Sequence, residues 1–195
     1  MNSPRTRYHH GDLRSALLNQ ATHLIREGGV EALSMRVLAQ RTGVSRTALY
    51  HHFQDKNDLL CAIAEMGFQQ LDELINAAVI NEKEVEGGLR AFIRSYVHFA
   101  ADNPEQYDLM FGRAIWKIGT PTETLKQIAF HSFKHYVEKT ALLNSPVNSL
   151  RTAQVSWATL HGICKFIIDG IYVNREDLNE ICEQALKILL ASNPK

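Results

Sequence analysis

Ser34–Lys56 reads S-M-R-V-L-A-Q-R-T-G-V-S-R-T-A-L-Y-H-H-F-Q-D-K. The string predicts two short helices joined by a tight turn. Ala39 is small enough for two helices to approach closely. Gly43 can take the positive φ needed where a helix ends sharply. Ser45 is a favourable N-cap for the helix that follows. Together these features predict a helix-turn-helix, the arrangement that lays its second helix in the major groove.

The second helix sorts its side chains by function. Arg46, Thr47, Tyr50 and His51 stand at i, i+1, i+4 and i+5 and share one face. All four can donate hydrogen bonds. Ala48 and Leu49 point the other way, with Phe53 at the boundary. One face therefore packs and the other is left to read DNA. An ordinary amphipathic hairpin with a solvated polar face explains the periodicity but not the combination of small residue, turn, cap and donor row.

The 195 residues include 45% hydrophobic ones, enough for a sizeable core in one domain or two small ones. No run approaches the roughly 18 apolar residues of a membrane helix. The opening M-N-S-P-R-T-R-Y-H-H has no apolar stretch and predicts no signal peptide. The expected location is the cytoplasm, with the nucleoid as the site of action. Cys61, Cys164 and Cys182 lie in apolar helical settings, as free buried thiols do in a reducing compartment. Net charge is zero, but residues 1–60 hold eight Lys/Arg against five Asp/Glu, so the helix-turn-helix part carries the positive excess. Arg5 and Arg7 form a short arm ahead of the first helix, placed to touch phosphates or a minor groove.

Elsewhere the pattern is helical, which makes the expected fold all-α. Helices are predicted over His10–Gly28, Asp55–Asn81, Gly88–Asp102, Glu105–Arg113, Pro121–Leu143, Ser149–Asp169 and Arg175–Ala191. Residues 1–54 then form an N-terminal three-helix DNA-binding domain, and 55–195 a second helical domain, with the helix at 55–81 as the mechanical link. Asp55 reads as the N-cap of that link, with Asp58 three residues on in a capping-box arrangement. Lys56 is opposed by the helix dipole, a conflict that a nearby phosphate would relieve.

Residues Tyr8–Met66 resemble the DNA-binding domain of the TetR family of transcriptional regulators. The resemblance is carried by Ile25, Gly28-Gly29, Ser34-Met35-Arg36, Leu38-Ala39, Gly43-Val44-Ser45, Leu49-Tyr50-x-His52-Phe53, Lys56 and Leu59-Leu60. Thr47 departs from a frequent glycine and adds a hydrogen-bonding group. The resemblance implies an all-helical homodimer that binds a double-stranded operator and is released by a small ligand. It implies a base contact at Arg36, recognition-helix contacts at Ser45, Arg46, Thr47, Tyr50 and His51, and phosphate contacts at His52 and Lys56. The helical wheel sets His52 beside Leu49, so only the resemblance brings it to DNA.

The same resemblance makes the second domain a ligand-binding and dimerisation domain. Trp157-x-x-x-His161-Gly162 is similar to a motif of one group of TetR C-terminal domains, and Gly162 would let helices approach closely. Phe99, Tyr107, Met110, Phe111, Trp116, Phe133, Trp157 and His161 are the candidate lining of a pocket for an apolar or aromatic effector. Taken singly, such residues are more often core. Arg113 and Lys117 flank this segment and could pair with an anionic ligand. The helices at 149–169 and 175–191 carry apolar faces suited to a four-helix dimer interface. No cofactor, catalytic residue or metal site is expected. There is no nucleophile elbow, phosphate-binding glycine loop or H-E-x-x-H string, so an enzyme is not the expected class. His131 and His135 stand at i, i+4, with His98 as a third imidazole that could join a metal site.

Overall fold

In the computed structural model, residues 10–141, 149–171 and 174–191 are described. Among them nine α-helices follow one another: α1 His10–Ala32, α2 Met35–Thr42, α3 Arg46–Tyr50, α4 Lys56–Val79, α5 Val85–Asp102, α6 Pro104–Phe111, α7 Glu123–Ala141, α8 Ser149–Ile168 and α9 Leu178–Ala191. A π-helical turn, Ala114–Ile118, lies between α6 and α7, and a 3₁₀ turn, Arg175–Asp177, leads into α9. The described residues contain no strand. Arg5 and Arg7 lie outside them.

Local chemistry explains most of the boundaries. At Gly28-Gly29 the backbone leaves helical geometry (Gly29 φ 71°, ψ −177°), which breaks the first helix where the glycine pair predicts. One further short turn then carries the chain to Ala32. Asp55 caps α4 by accepting the Asp58 amide at 2.8 Å. The reciprocal bond runs from the Gln54 amide to Asp58 Oδ2 at 2.9 Å, one residue earlier than in a strict capping box. Pro104 occupies the first turn of α6, where its missing N–H costs nothing.

Helix α4 organises the molecule. Its buried face, including Leu59, Leu60, Ile63, Phe68, Leu71 and Ile75, packs on α1, α5, α6 and α7. The buried side chains form one cluster running from Leu17 in α1 to Leu189 in α9. Helix α5 then bridges from α4 to α8 and α9. Two hydrogen bonds fasten α4 to the start and middle of α7: Thr122 Oγ1 to Glu65 Oε1 at 2.8 Å and Ser132 Oγ to Asp72 Oδ2 at 2.9 Å. Burial of Asp72 raises its carboxyl above the ordinary range, and the Ser132 bond partly offsets that.

The three cysteines are free and buried. Burial pushes the thiol of Cys164 up to about 12 and that of Cys182 up to about 11, which leaves them without thiolate at neutral pH. His98 contacts Asn179 of α9 at 3.3 Å, while His131 and His135 sit on α7 beside Asp72, so His98 does not belong with that pair.

Candidate functional site

The helix-turn-helix is built by local bonds. The Ser34 hydroxyl accepts the Val37 amide at 3.1 Å and opens α2. Gly43 closes it in the left-handed region (φ 69°, ψ 19°), and the Val44 amide returns to the Ala39 carbonyl at 3.1 Å. Ser45 then accepts the Ala48 amide at 3.1 Å and starts α3 in a new direction. The turn therefore follows from two serine caps and one glycine.

The faces of α3 divide as its periodicity predicts. Leu49 is wholly buried, Phe53 is 1% exposed, and Ala48 is half-buried. Arg46, Thr47 and His51 are exposed, and Tyr50 is 51% exposed. Ser45 and Arg36 are exposed beside them. His52 is half-buried, its ring tilted against Phe53 at 6.5 Å. The guanidinium of Arg14 sits 5.3 Å over the Phe53 ring, which ties α1 to the segment just after α3. Arg41 adds an exposed ion pair to Glu27 of α1 at 3.2 Å.

Lys56 behaves differently from its electrostatic expectation. Its Nζ donates to the Val30 carbonyl at 2.9 Å. That carbonyl follows the Gly28-Gly29 break and offsets part of the dipole conflict within the chain. The next residue makes a second clasp that nothing local announces. Asn57 Nδ2 donates to the Thr120 carbonyl at 2.8 Å, and the Thr120 amide donates back to Asn57 Oδ1 at 3.1 Å. The first turn of α4 thus holds the end of α1 with one side chain and the α6–α7 connection with the next.

In the second half, the candidate pocket residues are gathered more tightly than their sequence positions suggest. Tyr107 stacks on His161 at 5.5 Å and tilts against Phe111 at 4.8 Å. Tyr96 meets Trp157 edge-on at 5.5 Å, and Trp157 meets Phe133 at 5.3 Å. Phe99 and Met110 are buried in the shared core. Trp116 donates from Nε1 to the Met110 carbonyl at 2.7 Å, which pins the π turn to α6. Phe111 and His161 line an open cleft of about 520 Å³ between the end of α1, the end of α6 and α8. A separate groove of about 300 Å³, between α5, α8 and α9, is lined by Ile93, Tyr136, Arg151, Ser156 and Leu160 among others, and by none of the eight candidates. Sequence reasoning passed over Tyr96 and Tyr136, whose only signal is their place in apolar helical stripes.

A buried polar relay runs through this cluster. Tyr96 OH and Tyr107 OH are 2.9 Å apart, and Tyr107 OH lies 2.7 Å from His161 Nδ1. The imidazole nitrogen is the strongest acceptor in reach, so Tyr107 donates to it and accepts from Tyr96. That assignment leaves the proton of neutral His161 on Nε2. Burial and then the charge of Lys165 lower the imidazole below its ordinary value, which favours the neutral form.

Residues 17–63 match the family described as bacterial regulatory proteins, tetR family, and residues 89–189 match the tetracyclin repressor-like C-terminal domain. The chain belongs to the TetR family. An uncharacterized HTH-type transcriptional regulator of Mycobacterium tuberculosis is 36% identical over 105 residues, covering 53% of this chain and 44% of that protein. The HTH-type transcriptional repressor AcnR of Corynebacterium glutamicum is 32% identical over 97 residues, covering 50% of this chain and 45% of that protein. The matches thus span less than half the length of these curated relatives. A solved protein of unknown function from Rhodococcus sp. RHA1 superposes with a TM-score of 0.85 at 29% identity, over 98% of this chain and all of that one. TetR proteins are matched as regulators rather than enzymes, and the two matched regions correspond to the two parts of the helical fold. No described helix of this TetR-family chain is long and apolar enough to cross a membrane.

Proposed function

We propose that the chain is a sequence-specific DNA-binding regulator, a ligand-responsive repressor that acts as a homodimer on a palindromic operator. The observation that carries this reading is the donor face of α3, with Arg46, Thr47, Tyr50 and His51 exposed above the buried Leu49 and Phe53. A capped helix on a packed base holds base-reading side chains in fixed positions. Arg36 and Ser45 extend the reading surface, and His52 contacts the backbone. Lys56 keeps two N–H donors beyond its bond to Val30 and can reach a phosphate with them. The protein works in the cytoplasm, on nucleoid DNA.

The test is a titration against the DNA upstream of its own coding region, at two salt concentrations and with competitor DNA. Salt-sensitive, footprinted binding to a near-palindrome is the expected result. Binding that remains wholly non-specific across genomic fragments is the result against it.

Dimerisation through α8 and α9 is supported by the apolar surface of α8, where Val155 is 68% and Leu150 48% exposed. Gly162 does not serve a close approach inside the chain, since a Cβ there would meet no heavy atom of the described residues within 4 Å. A second copy of α8 could use that open surface. Val155→Glu is therefore expected to shift sedimentation from dimer toward monomer without changing helix content by circular dichroism. An unchanged dimer would move the interface elsewhere. Ligand response then requires an effector that prefers the state with wrongly spaced recognition helices. Moving that population from 1:99 to 99:1 needs a preference of about 5.5 kcal/mol.

A further inference from the structure

The cleft beside His161 has three properties that the packed aromatic cluster behind it lacks. It is open, with a volume of about 520 Å³, within the usual range for small-molecule sites. Its walls come from both parts of the chain: Val30 from the end of α1, and Leu109, Phe111, Ala114 and His161 from α6, the π turn and α8. Its polar groups are few and of one character. Lys165 is already held by Asp108 at 2.7 Å and by Asp169 at 3.2 Å. Arg113 is exposed and makes no ion pair among the described residues. His161 spends Nδ1 on Tyr107, and its Nε2 has no partner among the described residues. Of the three charged residues lining the cleft, two are cations and the one carboxylate is paired.

The backbone preserves this space. A Cβ at Gly112 would lie 2.0 Å from the Asp108 carbonyl oxygen, so α6 can end in this way only at glycine. The chain then enters the π turn, a rare geometry that is frequent at functional sites.

We infer that this inter-domain cleft is the effector site, and that it takes an aromatic or branched apolar monoanion whose acid group meets Arg113 and the His161 Nε2–H. The inference rests on the ligand-responsive reading above and gives that reading a place and a chemistry. The occupant touches Val30, whose carbonyl holds Lys56 at the head of α4. Binding there bears directly on the contact between α1 and α6, without passing through the core.

The probe is anilinonaphthalene sulfonate, an aromatic monoanion whose fluorescence rises in apolar sites, titrated into the full chain. Saturable binding at one dye per chain is expected. Arg113→Gln weakens it roughly tenfold, and Arg113→Lys keeps it within roughly threefold, because a charged contact is lost in the first and kept in the second. Arg151→Gln, at the groove between α8 and α9, leaves it unchanged. Both positions are exposed, and melting temperatures check that folding is intact in all three variants. The assignment is overturned by no saturable binding, by Arg113→Gln binding like the parent, or by Arg151→Gln alone losing the dye. Operator affinity measured with and without dye tests the other reading separately. Dye lost in Arg113→Gln together with operator affinity that ignores the dye keeps the cleft and removes the ligand-response reading.

Discussion

Leu49→Ala is expected to cost about 2–5 kcal/mol of folding stability. Arg46→Ala, three residues earlier on the same helix, is expected to cost almost none. The contrast follows from their surroundings. Leu49 is wholly buried in the shared core cluster, where α3 packs on α2, and truncating it leaves a cavity. Arg46 is exposed, and its side chain makes no hydrogen bond or ion pair among the described residues. Operator binding reverses the order of directness. If Arg46 meets a guanine edge, its loss weakens specific binding by about 1–3 kcal/mol and relaxes the preference at that base pair. Leu49→Ala weakens binding only through the fraction of domain that has lost its fold, so low temperature restores much of it. Thermal melts and operator titrations on the two variants separate these routes. A stable Leu49→Ala protein with lost operator affinity would contradict the burial argument. An Arg46→Ala protein with unchanged specific affinity would remove Arg46 from the reading surface.

What could be read from the chain in advance divides by sequence distance. Gly43, the Ser45 cap and the opposed faces of α3 are decided within a few residues, by φ preference, a short polar side chain and the helical period. The break at Gly28-Gly29 and the all-helical order are legible for the same reason. The Lys56–Val30 bond joins residues 26 apart, and the Asn57–Thr120 pair joins residues 63 apart. No period in the sequence reports either one. The aromatic residues of the second half carry helical spacing, which shows that they face inward but not which neighbour they meet. Tyr107 and His161 are 54 positions apart and yet 2.7 Å from each other. The π turn at Ala114–Ile118 is invisible to a reading based on a 3.6-residue repeat. The cleft escapes notice for a related reason, since its walls are drawn from three distant segments.

Tyr107→Phe tests the relay that backs the cleft. The change keeps the ring and its contacts with Phe111 and Tyr96, and removes one oxygen. Two strong partners are left short, the hydroxyl of Tyr96, which is buried, and Nδ1 of His161, and the weaker bond with the Cys164 thiol is lost as well. Each unsatisfied buried group costs about 1–3 kcal/mol, so the single variant is destabilised well beyond the net worth of one hydrogen bond. Removing the second oxygen as well, in Tyr96→Phe/Tyr107→Phe, recovers part of that loss, because a buried hydroxyl without a partner has been replaced by hydrogen. A double-mutant cycle by chemical denaturation reads the coupling directly. Purely additive losses would mean that the bond between the two hydroxyls contributes no coupling energy. The relay also has a pH signature. His161 is held below its ordinary value by burial and then by Lys165, so the unfolded state binds more protons. Stability from this group is complete above the unfolded value and is lost as pH falls below it toward the folded one. His161→Phe removes that slope, and Tyr107→Phe changes it, because the imidazole then loses the partner that favours neutral Nδ1. An acid limb that is identical in all three proteins would show that His161 is not the group titrating there.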